Sequence, residues 1–190
     1  MKTCVVLASG RGSNFRAILA NVQKGELPLQ ILALISDDPQ AQALVSAREA
    51  GLEAVALDFH SFAEKAAYRR RLLEVLQGYD PDYVLLAGYM RVLDPAVIRA
   101  FPRRIINIHP SLLPAFPGLH GQRQALEYGV KIAGCTVHYV DEGMDTGEII
   151  AQRAVAVLPG DTEESLSARI LAEEHKLYSE VLQELCATKE

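Results

Sequence analysis

Two side chains suited to acyl chemistry stand two residues apart in the stretch Asn107-Ile108-His109. The preceding Arg104-Ile105-Ile106 is apolar enough to read as a buried strand. Alternate residues of a strand share a face, so Asn107 and His109 should point one way and Ile106 and Ile108 into the core. Pro110, Pro114 and Pro117 then convert the strand into a stiff loop. An imidazole, with an unperturbed pKa of about 6.5, suits proton transfer near neutrality. A carboxamide beside it is the neutral donor that an acyl-transfer oxyanion needs. A lone histidine there would more often be a hydrogen-bonded strand end; Asn107 on the same face shifts the reading towards catalysis.

A carboxylate would complete the set. Asp145 lies in Asp141-Glu142-Gly143-Met144-Asp145-Thr146-Gly147, an acidic glycine loop between two expected strands. Such residues are equally ordinary in a hairpin turn, and spacing alone does not bring Asp145 to His109. Asp145-Thr146-Gly147 also spells the aspartic-protease triplet, but one copy on an α/β chain carries little weight. A second candidate is the turn Ser9-Gly10-Arg11-Gly12-Ser13-Asn14, straight after a strand and opening a helix. Free backbone N–H groups and the helix dipole there suit one phosphate. A dinucleotide motif would need glycine at Phe15, and a P-loop lysine is missing. The plainer alternative is a chain turn with Ser13 or Asn14 as helix cap. Glu174 is the third oddity, a carboxylate within the apolar stripe Leu166, Ile170, Tyr178, Val181, Leu182 and Leu185, with His175 at its border. An inward carboxylate needs a polar partner, either a structural ion pair or a ligand. His60 stands beside an expected helix cap, His120 and His138 either line the same cleft or are bland, and no metal site is expected.

Strands are expected at 3–8, 30–35, 53–57, 83–87, 104–108, 132–140 and 148–157. Helices are expected over a segment carrying Phe15, Ile18, Leu19 and Val22, over 40–50, from a Ser61/Glu64 capping box to about Gln77, near Pro95, over 122–128, and from an Asp161/Glu164 cap to about Leu185. Alternating apolar strands and helices argue for an α/β fold, a Rossmann-like, mostly parallel sheet with helices on both faces. The last two strands read as an antiparallel edge near the C-terminal half. The 190 residues suggest one domain. A net charge of −5 argues against a nucleic-acid surface, and no apolar run is long enough to span a membrane. Cys4, Cys135 and Cys186 are odd in number and far apart, which favours a reducing cytoplasm over disulfides.

Taken together, these stretches resemble the phosphoribosylglycinamide formyltransferase family. The resemblance runs from the 9–14 turn to Glu174-His175. Its most specific piece is 107–114 continuing through Ala115-Phe116-Pro117-Gly118-Leu119-His120, joined by Leu86-Ala87-Gly88-Tyr89-Met90-Arg91. It implies formyl transfer from 10-formyltetrahydrofolate, a co-substrate, to the amine of glycinamide ribonucleotide, with no metal or covalent enzyme intermediate. By resemblance Asn107, His109 and Asp145 are catalytic. Gly12, Ser13, Asn14, Met90 and Glu174 bind the ribonucleotide. Lys65, Met90, Arg91, Val92, Asn107, Val140, Asp141 and Asp145 bind the folate, with backbone groups of 90–92 reading the pterin. Leu113-Pro114 matches a cis bond.

Residues 1–100 would form the phosphate and ribonucleotide half, and 101–190 the catalytic and folate half. A cytoplasmic monomer or homodimer acting on small molecules is implied. Two departures concern detail: Gln122 where some relatives have histidine, and Lys65 where some have arginine. The rival readings are a formyltetrahydrofolate deformylase-type hydrolase and a non-catalytic phosphate-ligand binding protein. The expected absence of flanking domains speaks against the hydrolase and against methionyl-tRNA formyltransferase. A nucleotide-sugar formyltransferase would lack the Gly12-Ser13-Asn14 turn.

Overall fold

Seven strands form one sheet in the order β3-β2-β1-β4-β5-β6-β7 in the computed structural model, which describes residues 1–188. Positions 189 and 190, the end of the expected single domain, lie outside the described residues. The strands are β1 (Lys2–Leu7), β2 (Leu29–Ser36), β3 (Glu53–Ala56), β4 (Tyr83–Leu86), β5 (Ile105–His109), β6 (Ile132–Tyr139) and β7 (Ile149–Ala156). The first five run parallel, while β6 pairs antiparallel with both β5 and β7, as the alternating pattern of 132–157 predicts. The helices are α1 (Ser13–Gln23), α2 (Gln42–Glu49), α3 (Lys65–Tyr79), α4 (Pro95–Ala100), α5 (Gly121–Tyr128) and α6 (Glu163–Ala187).

Strand parity sorts the core into two layers. Cys4 and Val6 of β1 join Phe15 and Ile18 of α1, Leu44 of α2 and Tyr178 of α6 on one face. Val5 and Leu7 join Tyr68, Leu72 and Leu76 of α3 and Val97 of α4 on the other. Both faces of the parallel strands are thus covered, which is why they read as unbroken apolar runs. Chain order reverses at β1, with β2 on one side and β4 on the other, so a ligand crevice is expected beyond their carboxyl ends. Ser9 N donates to Gly88 O across that point at 3.0 Å.

Two helix starts differ from expectation. Ser61 does not cap α3; it closes a short 3-10 turn at Phe59–Ser61 whose cap is Asp58, and Glu64 precedes α3 without a side-chain bond. Asp58 already satisfies the free N–H of His60 at 2.9 Å, so the chain enters α3 separately. At α6 the capping box is Thr162 with Ser165, not Asp161 with Glu164. Asp161 is drawn instead to Arg169, which holds its carboxyl well below the usual range, and to the N–H of Leu158.

Candidate active site

β5 and β6 position the catalytic candidates. In their antiparallel register Asn107 lies opposite His138. Ile106 and Ile108 enter the core, leaving Asn107 and His109 on the other face as alternation requires. Asn107 Nδ2 is 3.1 Å from His138 Nε2, and His138 Nδ1 is 2.8 Å from Tyr139 O. A carbonyl only accepts, so Nδ1 carries the hydrogen and Nε2 is left to accept from the Asn107 amide. Burial is the main cause that lowers the His138 pKa below 6.5, against opposing pulls from Tyr139 O and Asp145. The ring therefore stays neutral, and its acceptor nitrogen sets which way the Asn107 carboxamide faces.

His109 is buried, with Nε2 3.0 Å from Phe116 O and Nδ1 3.5 Å from Asp145 Oδ2. Phe116 O only accepts, so Nε2 carries a hydrogen, and Nδ1 faces the Asp145 carboxylate. Asp145 Oδ2 also accepts from Gly118 N at 2.8 Å, and Oδ1 lies 3.8 Å from His138 Nε2. Asp145 has φ 54°, in the left-handed region that few non-glycine residues adopt and that aspartate tolerates better than most. The tight 141–147 loop imposes it: Asp141 Oδ1 ties Gly143 N and Thr146 Oγ1, and a β-carbon at Gly147 would strike Tyr139 O. Asp145, distant in the chain, thus comes beside His109 and beside the His138 ring that contacts Asn107.

The proline loop that carries Phe116 O is braced from beneath. Thr136 Oγ1 donates to Ser111 O at 2.7 Å and accepts from Leu113 N at 3.1 Å. Gln152 Nε2 adds a bond to Leu113 O at 2.8 Å, and Leu113-Pro114 is cis.

At the other end of the crevice Gly12 precedes α1 with φ 67°, and no side chain caps the helix. A β-carbon there would lie 2.7 Å from Ala43 Cβ, so only glycine fits. Ser13 and Asn14 open α1. Asn14 Nδ2 donates to Glu174 Oε2 at 2.9 Å, while Asn14 Oδ1 is buried and has no partner among the described residues. Burial raises the Glu174 pKa, and the Asn14 amide only partly opposes it.

Met90 and Val92 are exposed beside this crevice, and Met90 N donates to Ser9 Oγ at 2.9 Å. Arg91 instead turns inward to Asp37. Val140 N bonds Ile105 O, Asp141 is exposed in the loop, and Lys65 is exposed at the first residue of α3. His120, exposed, precedes α5 in a left-handed conformation. Sequence reasoning left the place of His138 open without foreseeing its bond to Asn107, and missed the parts played by Thr136 and Gln152. The alternation within 132–140 places 134, 136 and 138 on one face, the signal that would have drawn attention to them. Among the described residues no group of three His, Cys, Asp or Glu side chains is arranged to hold a metal ion.

The chain belongs to the formyl transferase family, whose family model matches residues 2–182. It is 44% identical over 185 residues to phosphoribosylglycinamide formyltransferase of Bacillus subtilis (strain 168), covering 97% of this chain and 95% of that one. The structure of glycinamide ribonucleotide transformylase 1 from Symbiobacterium toebii superposes with a TM-score of 0.93 and 52% identity, covering 96% of this chain and 86% of that one. Phosphoribosylglycinamide formyltransferase from Bacillus halodurans superposes with a TM-score of 0.95 and 44% identity, over 100% and 97% of the two chains. Within the family the chain's place is among these phosphoribosylglycinamide formyltransferases, transferases of purine biosynthesis.

Proposed function

We propose that the chain transfers the formyl group of 10-formyltetrahydrofolate to the amine of glycinamide ribonucleotide, acting in the cytoplasm on small molecules and without a metal. The observation that carries this reading is the meeting of Asn107, His109 and Asp145 at the carboxyl end of β5, across the crevice from the Gly12-Ser13-Asn14 turn.

The ribonucleotide phosphate would sit on the uncapped N–H groups at Gly12, Ser13 and Asn14, with Glu174 and Met90 holding the remainder. Asn14 and Glu174 already bond each other, so the substrate would add to a pair that exists. The pterin would meet backbone groups of Met90, Arg91 and Val92, with Val140, Asp141 and the loop to Asp145 against its ring and Lys65 towards the folate tail. Residues 1–100 then supply the ribonucleotide side, and 101–190 the chemistry and most of the folate side.

The amine nitrogen attacks the formyl carbon, forming the new C–N bond and placing negative charge on the formyl oxygen. Asn107 Nδ2 donates one hydrogen to His138 and retains the second for that oxyanion. Protonated His109 donates to the same oxygen by exchanging its bond to Phe116 O for it, while Asp145 holds and stabilises the imidazolium. The C–N10 bond then breaks, and the amine's proton ends on the departing folate nitrogen. Charge developing in the transition state meets the Asn107 donor already in place and the His109 donor after one exchange of partner, and electrostatic stabilisation of this kind is usually the largest single contribution to rate enhancement.

Absorbance-monitored folate release tests this directly. Release that requires the ribonucleotide is expected. Release at the same rate without the amine would convert the reading to a hydrolase, and no release under either condition would leave a binding protein.

A further inference from the structure

Residues 87–92 leave β4 without regular structure, and their side chains alternate. Met90 and Val92 are 64% and 67% exposed, whereas Tyr89 and Arg91 turn back onto the protein. The Tyr89 hydroxyl lies 2.5 Å from that of Tyr68 in α3. The Arg91 guanidinium lies over the Phe59 ring, Cζ 3.5 Å from its centroid, and Nε donates to Asp37 Oδ2 at 2.5 Å. Asp37, just beyond β2, is only 3% exposed. Its second oxygen is buried with no hydrogen-bond partner among the described residues. Arg91 is therefore the charge that compensates this carboxylate, and the carboxylate in turn has no place in the mechanism above.

We propose that Asp37 is a positioning residue for the formyl donor. By holding Arg91 on Phe59 it fixes the backbone of 90–92, the segment given to the pterin under the proposed function, and the inference rests on that reading. The alternation supplies the physical reason. A segment with no ladder of its own keeps its course through a few fixed points, here the bond of Met90 N to Ser9 Oγ and the side chains that point away from the ligand. Here the two inward side chains are each tied to a different element, Tyr89 to α3 and Arg91 to the end of β2. A buried pair of this kind serves geometry more surely than stability. The planar arginine fork loses little freedom when stacked and bonded at once.

Two readouts test the clamp. Hydrogen exchange of the ligand-free enzyme needs no donor. In Asp37→Ala the amides of 89–92 should exchange faster, with the β1 and β4 amides unchanged. In steady-state kinetics the same variant should show a KM for 10-formyltetrahydrofolate raised about tenfold, with kcat and the ribonucleotide KM held within about twofold. Asp37→Asn keeps an acceptor for Arg91 and should recover part of the effect. Phe59→Leu removes the platform while keeping the ion pair, so it serves if Asp37→Ala folds poorly; it should loosen the same amides. Unchanged exchange at 89–92 in both Asp37→Ala and Phe59→Leu would overturn the clamp. Faster exchange with an unchanged donor KM, or an equal rise in both KM values, would overturn its role in donor binding. A wild-type enzyme that does not consume 10-formyltetrahydrofolate would end the donor assignment itself, while exchange would still report on the clamp.

Discussion

Asn107 presents a usable donor only because His138 accepts from one side of its amide. A neutral His138 with hydrogen on Nδ1 leaves the carboxamide one orientation in which both partners are satisfied. The substitution His138→Leu frees the amide to rotate. Turnover should fall about tenfold to hundredfold, less than the ~10²–10³ that follows loss of an oxyanion donor itself. His138→Gln, which returns an acceptor near the same place, should recover part of that loss. Equal turnover in the His138→Leu variant and the wild-type enzyme would show that Asn107 orients itself. Glu174 makes a different prediction. Its folded pKa is raised by burial, so in the window above the ordinary carboxylate value of 4.5 the native state binds more protons than the unfolded chain. Stability then falls as pH rises through that window. Glu174→Gln keeps an acceptor for Asn14 but does not ionise, so its ligand-free melting temperature should lose this downward slope relative to wild type. Parallel melting curves for the two proteins from the ordinary carboxylate pKa up to neutrality would remove the buried-charge account.

Elements whose pattern is set by burial on both faces were legible from sequence; those set by competition between nearby polar groups were not. The continuous runs in β1, β2 and β4 and the alternation in β6 and β7 announce a parallel sheet with an antiparallel edge, because each residue's environment follows from strand parity. The start of α6 was misplaced by one residue, since Asp161 and Thr162 both suit an N-cap and only the reach of Arg169 decides between them. Asn107 and His109 were legible through alternation, and Asp145 by type, but its approach to His109 depends on a left-handed residue in a closed loop that no local spacing encodes. Thr136 was invisible for a related reason: a threonine in a strand is ordinary. Yet its hydroxyl serves both Ser111 O and Leu113 N inside the protein. Thr136→Val keeps the shape and strands both groups. Chemical denaturation should show a loss of about 1–3 kcal/mol, the cost of a buried unsatisfied polar group. Turnover should drop as well, because the proline loop bears the carbonyl that holds His109. A Thr136→Val protein of wild-type stability would mean that water or relaxation replaces those bonds.

At the scale of the molecule, residues 1–100 and residues 101–190, the halves proposed above, are expected to unfold together. The argument lies in α6, which belongs to the second half by sequence but packs on α1 as well as on β6 and β7. Its Tyr178 hydroxyl lies beneath the sheet, reaching Leu86 O of β4 at 3.2 Å and Ile106 O of β5 at 2.9 Å. Asn21 and Asn14 of α1 donate to Ser179 and Glu174 of the same helix. Separating the halves would therefore expose one face of α1, strip α6 from β1, and strand buried polar groups on both sides. No such intermediate should be populated, and calorimetric and van't Hoff enthalpies should agree in a single transition. The coupling also has a functional consequence. A ligand held only at residues 12–14 should stabilise residues 101–190 to the same degree, by about 2.7 kcal/mol at a hundredfold excess over Kd. Hydrogen exchange with the ribonucleotide bound measures this, because slowly exchanging amides of β5 and β6 should gain the same protection as those of β1. Protection confined to β1 and α1, or two resolved calorimetric transitions, would show that the halves are separate units joined only by the β4–β5 ladder.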